Sequence, residues 1–220
     1  MLLNNRYKFL FVHIAKTGGT SVRAALNPLR WRDPHYYLMW LAHRFSHAAG
    51  HRIGTKFPRH SKIIAAKEML PAQHFDSLFK FAVVRNPWDL QVSSFHHIQR
   101  ERPQHMNGIS DFNEFMRYKF DPERPYQFHI DTSLEWQSDY LVDLRGQLLT
   151  NFIGRYERLA DDFNSVITRL HLPISDLPHK RKATDRNSDY RRYYADDTAE
   201  TVAKHFARDI ELLGYAFDPE

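Results

Sequence analysis

A lysine at 16, glycines at 18 and 19 and hydroxyls at Thr17, Thr20 and Ser21 stand together in the stretch FLFVHIAKTGGTS, residues 9–21. Together they have the chemistry of an anion site. Phe9, Leu10, Phe11 and Val12 form a short apolar run of the kind that makes a buried strand, and residues 22–26, VRAAL, read as a helix. A strand that turns through glycines into a helix leaves backbone N–H groups unpaired at the positive end of the helix dipole. The glycines let the backbone approach a ligand, and Lys16 adds a full charge. An ordinary strand–turn–helix with a solvated lysine would show the same residues, since paired glycines are common in turns. The order of residues is informative. The triphosphate loop G-x-x-x-x-G-K-[ST] carries its lysine after the glycines, whereas Lys16 precedes Gly18 and no glycine lies upstream of it. The pattern favours a phosphate-type anion and speaks against a magnesium-dependent triphosphatase.

A second group follows the same plan. Residues 79–84, FKFAVV, predict another buried strand. Arg85 comes next, then Asn86 as helix N-cap, Pro87 at the first helical position and a helix over 88–100. An arginine at a strand end and Ser93 two turns into the helix can converge on one phosphate, through a bidentate fork and a hydroxyl. The competing arrangement pairs Arg85 with Asp89 and packs Ser93 against a neighbouring helix. Repeated strand, polar turn and helix predict an α/β fold with a parallel sheet. Ligands of such sheets bind beyond the carboxyl ends of the strands, where Lys16 and Arg85 are expected.

The remaining elements must position these groups. Pro28 is expected to close the first helix, and Ser61 to cap a helix over 61–70, with His60 in the loop at its mouth. Residues 148–154 predict a third strand, feeding a helix that runs to about 170. Residues 197–213 predict one amphipathic helix, with Val202, Phe206, Ile210 and Leu213 on a face and Gly214 as its C-cap. Residues 29–59, rich in aromatics and histidine, predict only a short helix near 38–41. Residues 101–135 read as a long excursion carrying little core.

Composition narrows the function classes. The 220 residues suit a single domain, and 31 basic against 26 acidic residues give +5 before 14 histidines are counted. That surplus suits an anionic ligand. No Lys/Arg block or RNA-binding signature accompanies it, so no nucleic-acid partner is expected. The absence of cysteine excludes disulfides, cysteine metal sites and thiol nucleophiles. No apolar stretch approaches a signal h-region or an integral membrane segment, so the expectation is a soluble, cytoplasmic protein.

The chain resembles the sulfotransferase superfamily, most closely its carbohydrate-type, family 2-like branch. The residues that carry the resemblance are His13 to Ser21 (HIAKTGGTS) and Phe81 to Trp88 (FAVVRNPW), with Ser93 eight residues after Arg85. Downstream, residues 152–157 (FIGRYE) and their helix are similar to the family's third segment. So are Leu177-Pro178-His179, Tyr190 to Tyr194 and the last helix through Phe217. Nearly all of residues 1–220 is covered as one sulfotransferase-like domain, with 29–59 and 101–135 the variable parts.

The resemblance implies a P-loop-like, three-layer α/β domain with a central parallel sheet flanked by helices. It implies in-line transfer of a sulfuryl group from 3′-phosphoadenosine 5′-phosphosulfate (PAPS) to an acceptor hydroxyl or amine, on a carbohydrate or other small metabolite. Adenosine 3′,5′-bisphosphate is the product, and the family requires no metal. It assigns the 5′-phosphosulfate to Lys16, Thr17, Gly18, Gly19, Thr20 and Ser21, and the 3′-phosphate to Arg85 and Ser93. Arg181 and Lys182 fall in a late basic loop that covers the nucleotide. Lys16 is the candidate for the leaving phosphate and His60 the candidate base, with Glu68 as the alternative base. A small nucleotide-dependent kinase and a non-catalytic nucleotide- or polyanion-binding module stay open as other readings. The residues do not identify the acceptor or the oligomeric state.

Overall fold

The computed structural model describes residues 1–49, 57–174, 177, 178 and 187–218. In chain order the elements are β1 (Leu2–Asn4), β2 (Phe9–Val12), α1 (Gly19–Arg30), α2 (Pro34–Ala49), α3 (Ile63–Met69), α4 (Ala72–Ser77) and β3 (Phe79–Val84). There follow α5 (Pro87–Glu101), α6 (Phe112–Phe120), α7 (Tyr126–His129), β4 (Phe152–Arg155), α8 (Leu159–Leu170), α9 (Asp196–His205) and α10 (Ala207–Leu213). The chain divides into two compact units. Residues 1–14, 18–84 and 139–180 form the first, and residues 15–17, 85–138 and 181–220 the second.

The first unit is built on a four-stranded sheet of order β1-β2-β3-β4, in which β2, β3 and β4 run parallel and β1 is antiparallel. Alternate strand residues Phe9, Phe11, Phe81 and Val83 share one core with Val22, Ala25, Leu26 and Leu29 of α1 and Phe163 and Val166 of α8. The intervening residues Leu10, Val12, Ala82 and Val84 are buried as well. Strands that are apolar on both faces belong to a covered parallel sheet, and each such large side chain contributes about 1.5–3 kcal/mol on burial. The fold is therefore α/β with a mostly parallel central sheet flanked by helices, as the strand–turn–helix repeats predict, and it is consistent with the P-loop-like architecture that the resemblance implies.

Local differences from the sequence-based expectations have physical causes. The edge strand β1 is only three residues long, too short to show a period, and is fixed where Asn4 Nδ2 donates to the carbonyl of Leu29. Pro28 lies inside α1 rather than ending it. In the last turn a proline forfeits one helical bond and the chain runs two residues further. Ser61 does not cap α3; its hydroxyl donates back to Pro58, and the helix starts after Lys62 with no side-chain cap. The third strand begins at Phe152, not at 148. Leu148 forms only an isolated bridge with Val142, and Asn151 exchanges bonds with Lys80 through its own N–H and its side-chain oxygen. The helix α2 is a full 16 residues, well beyond the expected 38–41.

In the second unit, residues 101–135 carry a core of their own, against expectation. Met106, Phe112, Phe115, Met116, Phe128 and Leu134 pack with Trp88, Val92, Phe95 and Ile98 of α5. Prolines hide this in the sequence by splitting the apolar residues into short groups. The predicted final helix is two. Phe206 breaks it, and the carbonyl of His205 accepts from the indole Nε1 of Trp136 at 2.8 Å, a side-chain substitute for the helical bond.

A buried lysine ties the excursion to α5. Lys119 is fully buried and donates to Gln91 Oε1, Ser94 Oγ and Ser133 Oγ, and its ammonium lies 3.1 Å from Asp131 Oδ2. Removing the cation would leave a mostly buried carboxylate unpaired. Lys119→Ala is expected to lower the unfolding free energy by about 3–5 kcal/mol, measured by urea titration. Arg117→Ala, which breaks an exposed pair with Asp197, is expected to change it by less than about 1 kcal/mol.

Candidate active site

The strand β2 delivers the chain to Lys16 in the left-handed region, φ 64°, followed by Gly18 at φ 78°. A non-glycine residue there costs about 1 kcal/mol, a cost seen mostly at functional turns. Gly18 is the N-cap of α1, and its carbonyl accepts from Ser21 at 2.9 Å and from Val22 at 3.4 Å. The N–H groups of Gly19 and Thr20 thus head the helix with no preceding helical carbonyl to pair with. The hydroxyl residues differ: Thr17 and Ser21 are buried, and Thr20 is exposed. Close packing explains both glycines. A Cβ on Gly18 would lie 2.7 Å from Leu159 and 3.0 Å from Tyr156, so the FIGRYE segment packs directly over the loop. A Cβ on Gly19 would lie 2.2 Å from the His13 ring.

His13 and His60 form a pair in the first unit. His60 Nδ1 lies 3.0 Å from the carbonyl oxygen of His13, and the rings are 4.7 Å apart. A carbonyl only accepts, so Nδ1 carries the hydrogen and the Nε2 lone pair of neutral His60 is left for other work. Burial holds the His60 pKa below the ordinary histidine value, against the opposing effect of that hydrogen bond. His13 is buried at 3% exposure, and burial, with His60 and Arg23 beside it, depresses its pKa to about 2. Both rings are neutral at pH 7. Sequence reasoning named His60; the backbone carbonyl that sets its tautomer carried no signal there.

In the second unit Arg85 is almost completely buried. Its Nε donates to Asp89 Oδ2 at 2.7 Å, its Nη1 donates to the carbonyl of Lys16 at 2.9 Å, and its backbone exchanges two bonds with the Gln137 side chain. The pairing with Asp89 weighed from the sequence is present. It aims the guanidinium, while the Nη1 bond fastens Arg85 to the loop residue Lys16. Asn86 caps α5 as expected, accepting from the N–H groups of Trp88 and Asp89. Ser93 is partly buried on α5. One turn on stands His97, which sequence reasoning did not single out. Its Nδ1 is buried without a hydrogen-bond partner, and burial and the Lys16 charge depress its pKa to about 4. Its four-residue spacing from Ser93 was the available signal.

The structure joins Lys16 to Arg85 and His13 to His60. Glu68, the alternative base, is exposed on α3. Arg181 and Lys182 lie outside the described residues. Among the described residues no cluster of three or more His, Asp or Glu could hold a metal ion.

The pattern that defines the Sulfotransferase family matches residues 1–216. The chain belongs to that family, in the carbohydrate-type, family 2-like branch, and is a sulfotransferase. No curated protein and no solved structure is matched by the chain.

A neutral, buried His13 makes stability depend on pH. Below about 6.5 the unfolded state takes up a proton that the folded state refuses until about pH 2. Stability is therefore full above 6.5 and falls as pH drops, by about 1.4 kcal/mol per pH unit from this group. His13→Phe keeps a ring against Gly19 and is expected to lessen that slope between pH 6 and 4, read from urea midpoints across pH.

Proposed function

We propose that this sulfotransferase moves a sulfuryl group from PAPS to an acceptor hydroxyl or amine, on a carbohydrate or other hydroxylated metabolite, in the cytoplasm. The observation that carries the reading is the bond from Arg85 Nη1 to the Lys16 carbonyl. It ties a second cation to the residue that opens the anion loop, as a ligand with phosphates at two positions requires. The donor set also fits a phosphosulfate: backbone N–H groups at the start of α1 and a lysine in the turn before it.

In this reading the N–H groups of Gly18, Gly19 and Thr20, with the hydroxyls of Thr17, Thr20 and Ser21, hold the 5′-phosphosulfate. Arg85 and Ser93 hold the 3′-phosphate, with the neutral ring of His97 one turn on. The basic residues Arg181 and Lys182 cover the nucleotide. His60 Nε2 takes the acceptor proton as the acceptor oxygen bonds to sulfur. The sulfur–oxygen bond to the 5′-phosphate breaks in line, and the electron pair stays on the phosphate. Lys16 and the helix N-terminus stabilise that developing charge.

Adenosine 3′,5′-bisphosphate is expected to raise the melting temperature without magnesium, and ATP with magnesium is not; a shift with magnesium-ATP alone would favour a kinase. With labelled PAPS and a panel of glycans, phenols and other hydroxylated metabolites, Lys16→Ala is expected to lose at least about 100-fold in turnover and to weaken bisphosphate binding.

His60→Ala is expected to lose about 100–10,000-fold in turnover while bisphosphate still binds, and retained activity would remove it as the base. Because the His60 pKa lies below 6.5, turnover is expected to be level near neutral pH and to fall only at more acidic pH, as Nε2 becomes protonated.

A further inference from the structure

Charge is distributed very unevenly along the chain. Residues 1–67 hold twelve Lys/Arg and a single acidic residue, Asp33, whereas the rest of the chain holds 19 basic and 25 acidic residues. Asp33 is not a surface group. It is 1% exposed, and its carboxylate accepts from the backbone and side-chain N–H groups of Asn5 and from the N–H of His35 at the start of α2. A charge asymmetry of this size points to an anionic macromolecular partner.

The helix that follows Asp33 presents an apolar surface within this basic region. Trp31, just before α2, and Tyr37, Leu38 and Phe45 on it have between 53% and 65% of their surface exposed. Tyr37, Leu38, Leu41 and Phe45 fall at i, i+1, i+4 and i+8, on one side of the helix. Arginines flank them: Arg30 lies over the Tyr36 ring at 4.2 Å, and Arg44 over the Trp40 ring at 5.2 Å, so the stems lie on aromatic faces. Sixteen residues span about 24 Å. No helix of the described residues is long and apolar enough to cross a membrane. A basic, aromatic-edged helix with an exposed apolar stripe has the composition of one that lies in a bilayer interface.

We propose that α2 and the preceding Trp31 form a docking surface for an anionic phospholipid membrane, with Trp31, Tyr37, Leu38 and Phe45 entering the headgroup region and Arg30, Arg32 and Arg44 meeting lipid phosphates. A soluble acidic polysaccharide would meet the same charges. It has no use for a convex stripe of leucine and phenylalanine, and this favours lipid. The surface shares no residue with those assigned to sulfuryl transfer, so its test needs neither donor nor acceptor.

The full chain would be sedimented with phosphatidylcholine vesicles, with and without phosphatidylglycerol. Binding is expected to the anionic vesicles only, and to weaken as salt is raised. Leu38→Ser with Phe45→Ser removes apolar area while keeping every charge, and is expected to reduce partitioning roughly tenfold or more. Arg32→Ser with Arg44→Ser is expected to reduce it by a similar factor, since each basic residue at an anionic leaflet contributes about fivefold. A melting curve accompanies each variant, because Arg44 rests on the Trp40 ring and the folded state must be shown to match the parent's. A destabilised double variant would be replaced by the single Phe45→Ser. Absence of binding to anionic vesicles would overturn the proposal. So would binding that ignores the apolar substitutions, or that a soluble sulfated polysaccharide reproduces with the same variant dependence.

Discussion

Gly19 has no side chain because the ring of His13 occupies the place where one would begin. This single exclusion lets β2 turn into α1 with the ring packed against the helix start. It buries His13 in its neutral form, and it leaves the carbonyl of His13 in position to receive the Nδ1 hydrogen of His60. Gly18 meets a parallel constraint from Leu159 and Tyr156. The turn at Gly18 and Gly19 is therefore shaped by packing from within the first unit, and its glycines are steric requirements as much as conformational ones.

Around Arg85 the second unit uses charge and hydrogen bonding instead. The guanidinium is held by Asp89, the backbone by Gln137, and Gln137 and Ser138 are in turn fixed through their N–H groups by the buried carboxylate of Asp209. That chain of bonds reaches from the C-terminal helix α10 to the arginine proposed for the 3′-phosphate. A buried network of this kind favours one geometry, because each lost partner would leave a further buried polar group unsatisfied. The Lys119 network plays the same part further along α5, where Gln91 and Ser94 anchor the 101–135 segment. The helix that carries Ser93 and His97 is thus held by polar contacts on one side and by the aromatic core of the unit on another.

Much of this was legible from residue types. The strands β2 and β3, the Asn86 cap, the Pro87 start and the Gly214 end followed from apolar runs and capping chemistry, which act over a few residues. The misreadings arose where a distant partner decides the local structure. Trp136 splits the last helix by taking the carbonyl of His205, Asn151 delays the third strand by bonding to Lys80, and the scattered apolar residues of 101–135 find α5. His97 was passed over because its interest comes from a buried, unpartnered Nδ1 and the nearby Lys16 charge.

The sequence by itself determined the class of fold, the two strand–turn–helix motifs proposed to hold phosphates and the family, because these rest on local patterns and on the identity and order of a few residues. It also determined that His60 and Arg85 stand at the ends of elements where side chains can act. Only the tertiary structure decided the protonation state of His13, the tautomer of His60 and the orientation of Arg85. Those depend on burial and on partners 4 to 69 residues away in the chain, and desolvation and hydrogen-bond geometry exist only once the chain has folded.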